Sequence, residues 1–282
     1  MKNTHVRALY LIIAIITFFI PFNKITCPHC KTHRIKRVAR KHYFVSIFNC
    51  QKCYLYFAYP TMGNLLARLL YSSKFYAEND LTTEIPNKTE LKKLIKSKFI
   101  NSGKDFNNRI ECIKKAFGIG TLLEFGSSWG YFLCQARTAG FNVTGIEVSK
   151  PRSSFGRSAM NLEICNSFSE LEKKKYDIIY SSHVLEHLLD LSKIFTDFNE
   201  HLSNNGVLII EVPNFNYKEL GNKILSGIGA VHPLGFSPEF FYNNMEKIGF
   251  RELMLYNTYE SIVYGKNDFN PKNDCIIAIM KK

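Results

Sequence analysis

One stretch in the middle of the chain limits the fold more than any other. From Thr121 to Leu133 the sequence reads TLLEFGSSWGYFL: an apolar strand, a tight turn with glycines at Gly126 and Gly130, and the start of an amphipathic helix. Such a turn lets backbone approach a ligand closely, and the N-terminus of the helix offers free N–H groups. The segment therefore predicts a nucleotide-type site at the end of a buried strand.

From Gly120 onward, strand-like apolar runs alternate with segments of helical length, which is typical of a parallel sheet covered on both faces. We expect five strands, at residues 121–125, 142–148, 162–165, 177–181 and 207–212. Two further strands, at 250–257 and 274–281, are separated by a polar stretch and predict a terminal antiparallel hairpin. The second half of the chain is thus predicted to be an α/β domain.

An acidic residue ends the second predicted strand. Glu147 lies seventeen positions after Gly130, where a carboxylate can accept hydrogen bonds from both ribose hydroxyls of a nucleotide. The glycine turn and this acid are also found in dehydrogenases, so the pair predicts nucleotide binding without choosing the cofactor.

Five motifs, taken in order along the chain, indicate which cofactor is bound. Together they resemble the class I S-adenosylmethionine (SAM)-dependent methyltransferases, especially their small-molecule branch. The resemblance covers about residues 115–282. Its motifs are the glycine loop with Glu124, the acid Glu147, YDIIYSSHVLEHL at 176–188, GVLIIEVP at 206–213, and HPLGFSPE at 232–239 followed by Gly249-Phe250. It implies a Rossmann-like fold, with a seven-stranded, mostly parallel sheet whose last strand is antiparallel, and SAM as cofactor.

The resemblance also assigns cofactor-binding residues. Glu147 would bind the ribose, and Ser167 and Phe168 would flank the adenine. The full expected set is Glu124, Gly126, Ser128, Gly130, Glu147, Ser167, Phe168 and Ser182. Ser128 departs from the family, which usually has glycine there; a serine must tolerate the turn's backbone angles, which predicts an altered fit for the methionine end of the cofactor or weaker binding.

Histidines are the candidate catalytic groups. For a hydroxyl acceptor, a histidine with a pKa near neutral can take the proton, and we select His183, after the fourth strand, and His232, in a segment that resembles the family's lid. A hydrogen-bonded structural role is the alternative for each. The run from His183 to His187 also spells the HxxEH pattern of inverted zinc proteases, but its place after a parallel strand and a nucleotide loop favours the methyltransferase reading.

Four of the eight cysteines form two CxxC pairs separated by nineteen residues, Cys27 with Cys30 and Cys50 with Cys53. This spacing predicts a zinc ribbon, in which four thiolates close a tetrahedral and therefore structural site. Disulfides are the alternative. The other four cysteines are scattered through apolar segments, which indicates a reducing compartment and favours zinc.

Charge bears on the methyl acceptor. Lys and Arg exceed Asp and Glu by 37 − 24 = 13, which favours anionic partners or simply gives a solvated basic surface. Small zinc ribbons precede methyltransferase domains both in sugar methyltransferases and in ribosomal RNA guanine methyltransferases. Ser181-Ser182-His183 lacks the Pro-Pro-aromatic motif of amino-group base methylation, although guanine ring-nitrogen methylation stays open. Because the fourth-strand segment resembles the small-molecule branch, we favour a small-molecule, sugar or lipid-linked glycan acceptor. RNA, and a catalytically degenerate binding module, remain the alternatives.

The N-terminus begins with an uncharged apolar segment at residues 8–22. As a helix it would span about 22 Å, short of a hydrocarbon core of roughly 30 Å. It is interpreted as a short membrane anchor, an interfacial or packed helix, or an extension from a misassigned start; the basic run after it predicts a cytoplasmic location for the rest. The expected divisions are 1–23 for this segment, 24–60 for the ribbon, 61–115 for a helical connector and 116–282 for the methyltransferase domain.

Overall fold

The computed structural model describes residues 25–41, 45–60, 83–221, 227–229, 232–266 and 269–282. The apolar segment at 8–22 and the first part of the expected helical connector, residues 61–82, lie outside these ranges. Within them, no helix is both long enough and apolar enough to cross a membrane.

The central sheet has seven strands and is mostly parallel. In spatial order they are β10 (Glu252–Tyr256), β11 (Cys275–Lys281), β8 (Leu202–Pro213), β7 (Tyr176–Ser182), β4 (Thr121–Phe125), β5 (Asn142–Ile146) and β6 (Ile164–Cys165). Strand β11 runs antiparallel to both of its neighbours, β10 and β8, while the ladders among β8, β7, β4, β5 and β6 are parallel. The predicted Rossmann-like methyltransferase fold, with one antiparallel strand, is confirmed.

Several strand predictions need correction: the predicted strand 142–148 ends at Ile146, and the strand predicted at 250–257 spans Glu252–Tyr256. Residues 162–165 were expected as a strand, but only Ile164–Cys165 pair with β5, because Asn161 ends the preceding helix in a left-handed conformation and Leu162 packs against the glycine loop. Strand β8 begins at Leu202 rather than 207, directly after a helix. The expected terminal hairpin has antiparallel strands, but a short helix interrupts its connection.

Eight α-helices are described around the two sheets. They are α1 (Lys88–Lys96), α2 (Asn107–Phe117), α3 (Tyr131–Thr138), α4 (Lys150–Met160), α5 (Leu191–His201), α6 (Tyr217–Leu220), α7 (Pro238–Asn244) and α8 (Tyr259–Tyr264). Helix α1 begins with a capping box, in which Asn87 accepts from the N–H of Glu90 and the Glu90 side chain accepts from that of Asn87. Thus α1 and most of α2 lie in the predicted helical connector.

The central sheet is buried on both faces because its strands are apolar at successive positions. Side chains alternate between the faces of a strand, so in β4 Leu122 points into one core and Leu123 into the other. The Leu122 core contains residues of α2, α3 and α8, and the Leu123 core contains residues of α5 and α7. Burial on both sides leaves the strand ends as the place where polar groups can gather.

The cysteine segment contributes three strands to a second sheet, which is joined to the rest of the chain through β9 (Leu234–Gly235). Strands β1 (Ile35–Lys41), β2 (Val45–Cys50) and β3 (Tyr56–Tyr59) are antiparallel, and β3 also pairs with β9 from the far end of the chain. Its Cys27 and Phe57 belong to the same hydrophobic cluster as Phe195 and Phe240 of α5 and α7. The described residues of this segment, 25–41 and 45–60, are therefore packed as part of the same fold.

Candidate cofactor and acceptor site

The glycine loop leaves β4 at the carboxyl edge of the sheet. Two consecutive N–H groups, of Gly126 and Ser127, donate to the carbonyl of Ile146 at 2.8 and 3.0 Å and tie the loop to β5. Gly126 has a φ of +85°, and a Cβ there would lie 2.3 Å from Cγ2 of Val184. Both the backbone angle and the space therefore require glycine at this position.

The other two predicted residues of the turn, Gly130 and Ser128, both have a positive φ, but only one of them is a glycine. Gly130 has a φ of +86°, caps α3, and has no room for a Cβ beside Leu162. Ser128 also lies in the left-handed region, with a φ of +51°, so the serine adopts the backbone conformation that glycine would adopt more readily.

The loop is held against Glu147, the acid after β5. The N–H of Ser128 donates to Glu147 Oε2 at 2.9 Å and the N–H of Ser149 donates to Oε1 at 2.7 Å. The carboxyl is buried, at 6% exposure, and burial raises the pKa of Glu147, opposed in part by the hydrogen bond from Ser149. These two N–H groups occupy two of the about four acceptor positions of a carboxylate.

Several buried polar atoms near these strand ends have no hydrogen-bond partner among the described residues. They include Glu124 Oε2, Ser128 Oγ, Ser181 Oγ and Glu186 Oε2. Burial, together with the charge of Glu147, raises the pKa of Glu124 well above its ordinary value of 4.5. An unpartnered buried polar group lowers the stability of the folded protein by about 1–3 kcal/mol. A cluster of such groups at the carboxyl edge of the sheet, where sheets of this kind bind ligands, is consistent with a polar ligand that supplies the missing hydrogen bonds.

The predicted adenine-flanking pair is divided between core and surface. The ring of Phe168 is buried, stacks on Phe125 at 5.4 Å and contacts Phe198. Ser167 is half-buried beside it and shares a hydrogen bond with Ser169. Asn166, which was not among the predicted site residues, contacts the acid's backbone, since its Nδ2 donates to the Glu147 carbonyl at 2.7 Å.

A second polar cluster, absent from the sequence predictions, surrounds Glu211 near the end of β8. Arg109 of α2 donates two hydrogen bonds to the Glu211 carboxylate and one to Ser182 Oγ. Ser182, which we expected at the cofactor, itself donates to Glu211 at 2.6 Å, and the Tyr259 hydroxyl donates at 3.0 Å. A charged residue within the apolar run VLIIEV was the one sequence signal for this cluster.

His183 lies at the edge of the Glu211 cluster. Its Nδ1 is 3.5 Å from Glu186 Oε1 and its Nε2 is 3.8 Å from Glu211 Oε1, while 54% of the side chain is exposed. The hydrogen bond to Glu186 raises the pKa of His183. Its φ of +53° is unusual for a non-glycine residue and places it among the strained positions that occur at functional sites.

The other candidate base, His232, lies against His187 rather than beside His183. The ring centroids of His187 and His232 are 4.4 Å apart at 75°. His232 Nδ1 lies 3.0 Å from the Gly227 carbonyl. The turn at Leu185–His187 is a single turn of 3-10 helix, so the HxxEH run does not form the α-helix on which a protease would place its two histidines.

The four cysteines of the two CxxC pairs converge. The Sγ atoms of Cys27 and Cys53, and those of Cys30 and Cys50, are each 3.5 Å apart, too far for a disulfide bond of about 2.05 Å. Tetrahedral zinc at about 2.3 Å from each sulfur separates the sulfurs by roughly 3.7 Å. The N–H groups of Lys52 and Cys53 both point at Cys50 Sγ at 3.4 Å, which favours a thiolate there.

Comparison with known proteins gives a consistent family. A family model described as Methyltransferase domain matches residues 88–253. A TehB-like SAM-dependent methyltransferase from Corynebacterium glutamicum has a similar structure, with a TM-score of 0.50 at 14% identity over 74% of this chain and 100% of that one. The phosphoethanolamine N-methyltransferase 2 of Haemonchus contortus gives a TM-score of 0.52 at 14% identity over 75% of this chain and 58% of that one.

A search among curated proteins finds no match. The two solved structures share the fold, and the family model spans the glycine loop, Glu147, the HVLEH turn and His232. This chain therefore belongs to the methyltransferase-domain family and is a SAM-dependent methyltransferase.

Proposed function

We propose that this protein methylates a hydroxyl group of a small molecule, a sugar or a lipid-linked glycan. The observation that carries the proposal is the position of His183. Its exposed ring lies over two buried carboxylates, Glu186 and Glu211, and the next residue, Val184, lies against Gly126 of the cofactor loop. A proton acceptor thus stands beside the place where a SAM methyl group would be presented.

The loop residues suit SAM. Gly126 and Gly130 provide the close backbone approach, Glu147 would accept the ribose hydroxyls, and Glu124 would face the cationic methionine end with its unpartnered Oε2. Ser167 and Ser182 complete the proposed lining, with the backbone at Phe168. When bound, SAM supplies a methyl group on a sulfonium, which is transferred by in-line displacement.

The chain's own contribution is positioning and proton removal. His183 accepts the acceptor's hydroxyl proton, and Glu186 and Glu211 stabilise the imidazolium that results. Arg109 and Tyr259 hold Glu211 in place through their hydrogen bonds. Positioning of this kind supplies most of the rate enhancement in a displacement reaction.

We also propose that the four cysteines hold one structural zinc ion. The near-tetrahedral spacing of their sulfurs and the N–H groups at Cys50 support it. Because the same segment shares a core with α5 and α7, the ion stabilises the methyltransferase part as well.

RNA is the second candidate acceptor, and one observation favours it. Among the described residues, strand β1 pairs with β2 alone, and it carries exposed Lys36, Arg37 and Arg40. A basic edge of this kind can bind the phosphate backbone of a nucleic acid. Against it stands the turn after β7, where Ser182 and His183 replace the motif of amino-group base methylation.

Labelled SAM incubated with separated RNA, lipid and nucleotide-sugar fractions tests the proposal. We expect label in a lipid or nucleotide-sugar fraction and at least about a hundredfold less with His183→Asn, since asparagine tolerates the positive φ. Label that ribonuclease releases would favour RNA. Binding of SAM without transfer to any fraction would identify a degenerate binding module.

A further inference from the structure

A third group of side chains, apart from the cysteines and the Glu211 cluster, has the composition of a metal site. One carboxylate oxygen of Glu186 and one ring nitrogen each of His187 and His232 lie within 4.8 Å of one another. They come from two places in the chain, the 3-10 turn after β7 and the segment before β9. In a metal complex with bonds of about 2.1 Å, such atoms are about 3.0–3.4 Å apart, so a small inward shift would complete the site.

The tautomer of His232 is fixed by its neighbour. A backbone carbonyl only accepts hydrogen bonds, so the contact of His232 Nδ1 with the Gly227 carbonyl at 3.0 Å places the proton on Nδ1. The neutral ring then presents the lone pair of Nε2. Histidines that bind metals are usually oriented in this way, with the other ring N–H donated to a carbonyl or carboxylate.

Glu186 provides an independent observation. Its side chain is 3% exposed, and Oε2 has no hydrogen-bond partner among the described residues. A buried carboxylate oxygen is costly unless it is hydrogen-bonded, paired or bound to a metal. Among the described residues, His183 forms the ion pair with this carboxyl, and its Nδ1 lies 3.5 Å from the other oxygen, Oε1.

From these observations we infer that Glu186, His187 and His232 bind a divalent transition-metal ion. Two imidazoles and one carboxylate suit zinc, manganese, iron or cobalt, and three protein ligands leave positions open, as at catalytic rather than structural metal sites. The four cysteines, by contrast, close their coordination sphere. The chain thus has two metal sites of different chemistry.

The second metal site lies where the acceptor would arrive. Two residues, Val184 and Leu185, separate the proposed ligand Glu186 from His183, and Val184 contacts Gly126 of the cofactor loop. If the proposed function holds, oxygen atoms of the acceptor bind at the open positions of the ion. An acceptor with two adjacent hydroxyl or carbonyl oxygens could chelate the ion in this way. His232 is then a ligand, and His183 is left as the base.

Metal content of the full-length protein tests the inference. The protein is saturated with zinc, exchanged against Mn²⁺, freed of unbound metal by gel filtration and assayed for both metals. Mn²⁺ is the probe because it prefers imidazole and carboxylate to thiolate ligands. We expect wild type to hold one more divalent ion per chain than Glu186→Gln or His232→Ala, and this additional ion is either Mn²⁺ or a second zinc. Both variants should bind Mn²⁺ at least about tenfold more weakly than wild type.

Matched controls are Glu163→Gln, at an exposed carboxylate beside β6, and His33→Ala, on the cysteine segment. Both should keep the wild-type metal content, and thermal unfolding confirms that each variant is folded; should Glu186→Gln not fold, His232→Ala carries the test. Equal metal content in all five proteins overturns the inference. SAM binding is measured separately, so that a protein that binds SAM but no second ion refutes only the metal site.

Discussion

The N–H of Ser128 donates a hydrogen bond to Glu147 Oε2 over 2.9 Å. This hydrogen bond joins the loop after β4 to the acid after β5, and a nucleotide bound at this edge of the sheet would contact both. It also explains how a serine is accommodated at a φ of +51°, which costs a non-glycine residue about 1 kcal/mol. The bond to a buried carboxylate offsets that strain.

Replacing Ser128 tests this explanation. Ser128→Gly removes the strain but adds backbone freedom to the unfolded chain, so we expect the free energy of unfolding to change by less than about 1 kcal/mol and SAM affinity to stay within about threefold. Ser128→Val puts a β-branched side chain at a positive φ and should weaken SAM binding at least about tenfold. Calorimetry checks both, and a valine variant with wild-type affinity would contradict the explanation.

Glu124 should make stability depend on pH. Its pKa in the folded protein is raised by burial and by Glu147, so above the ordinary pKa of 4.5 the folded state binds more protons than the unfolded state. The stabilisation is therefore full below that value and is lost as the pH rises through the raised pKa. Glu124→Gln should abolish this loss.

Denaturant unfolding at about pH 5 and about pH 8.5 measures the effect, because the fall between them should be smaller in Glu124→Gln than in wild type. Glu163→Gln, at an exposed carboxylate, is the control and should keep the wild-type fall. An equal fall in all three proteins would show that Glu124 does not titrate in this range.

Some of the site was predictable because it is local in sequence. Strand β4 has the expected bounds of residues 121–125. Glu147 accepts a hydrogen bond from the loop, at Ser128, because a single strand–turn–helix unit connects the loop to the strand that Glu147 follows. The Glu211 cluster was missed because Arg109 comes from a helix 102 residues away. The pairing of Tyr56 with Gly235 likewise joins distant segments, and two-residue strands such as β9 have no recognisable pattern.

Loss of zinc should destabilise the whole described fold rather than the cysteine segment alone. Cys27 shares a hydrophobic cluster with Phe195 and Phe240, so the metal and the central sheet are expected to unfold together. Cys53→Ser should lose one zinc per chain relative to wild type and lower the midpoint of thermal unfolding by roughly 10 °C in a single transition. Elemental analysis and calorimetry measure the two quantities.

Cys134→Ser is the matched control for the zinc experiment, because Cys134 lies on α3, away from the cysteine cluster. It should keep both the zinc content and a midpoint close to that of wild type. A Cys53→Ser protein that retains its zinc, or that melts in two separate steps, would contradict the proposed structural role.

The most direct test of the account is the affinity for SAM, measured by calorimetry on wild type, Glu147→Ala and the control Glu163→Ala. We expect wild type and the control to bind one SAM per chain, and Glu147→Ala to bind at least about tenfold more weakly, because it loses both the ribose contact and the hydrogen bond to Ser128. Unchanged affinity in a folded Glu147→Ala protein, or no binding by wild type, would contradict the assignment of the glycine loop to SAM.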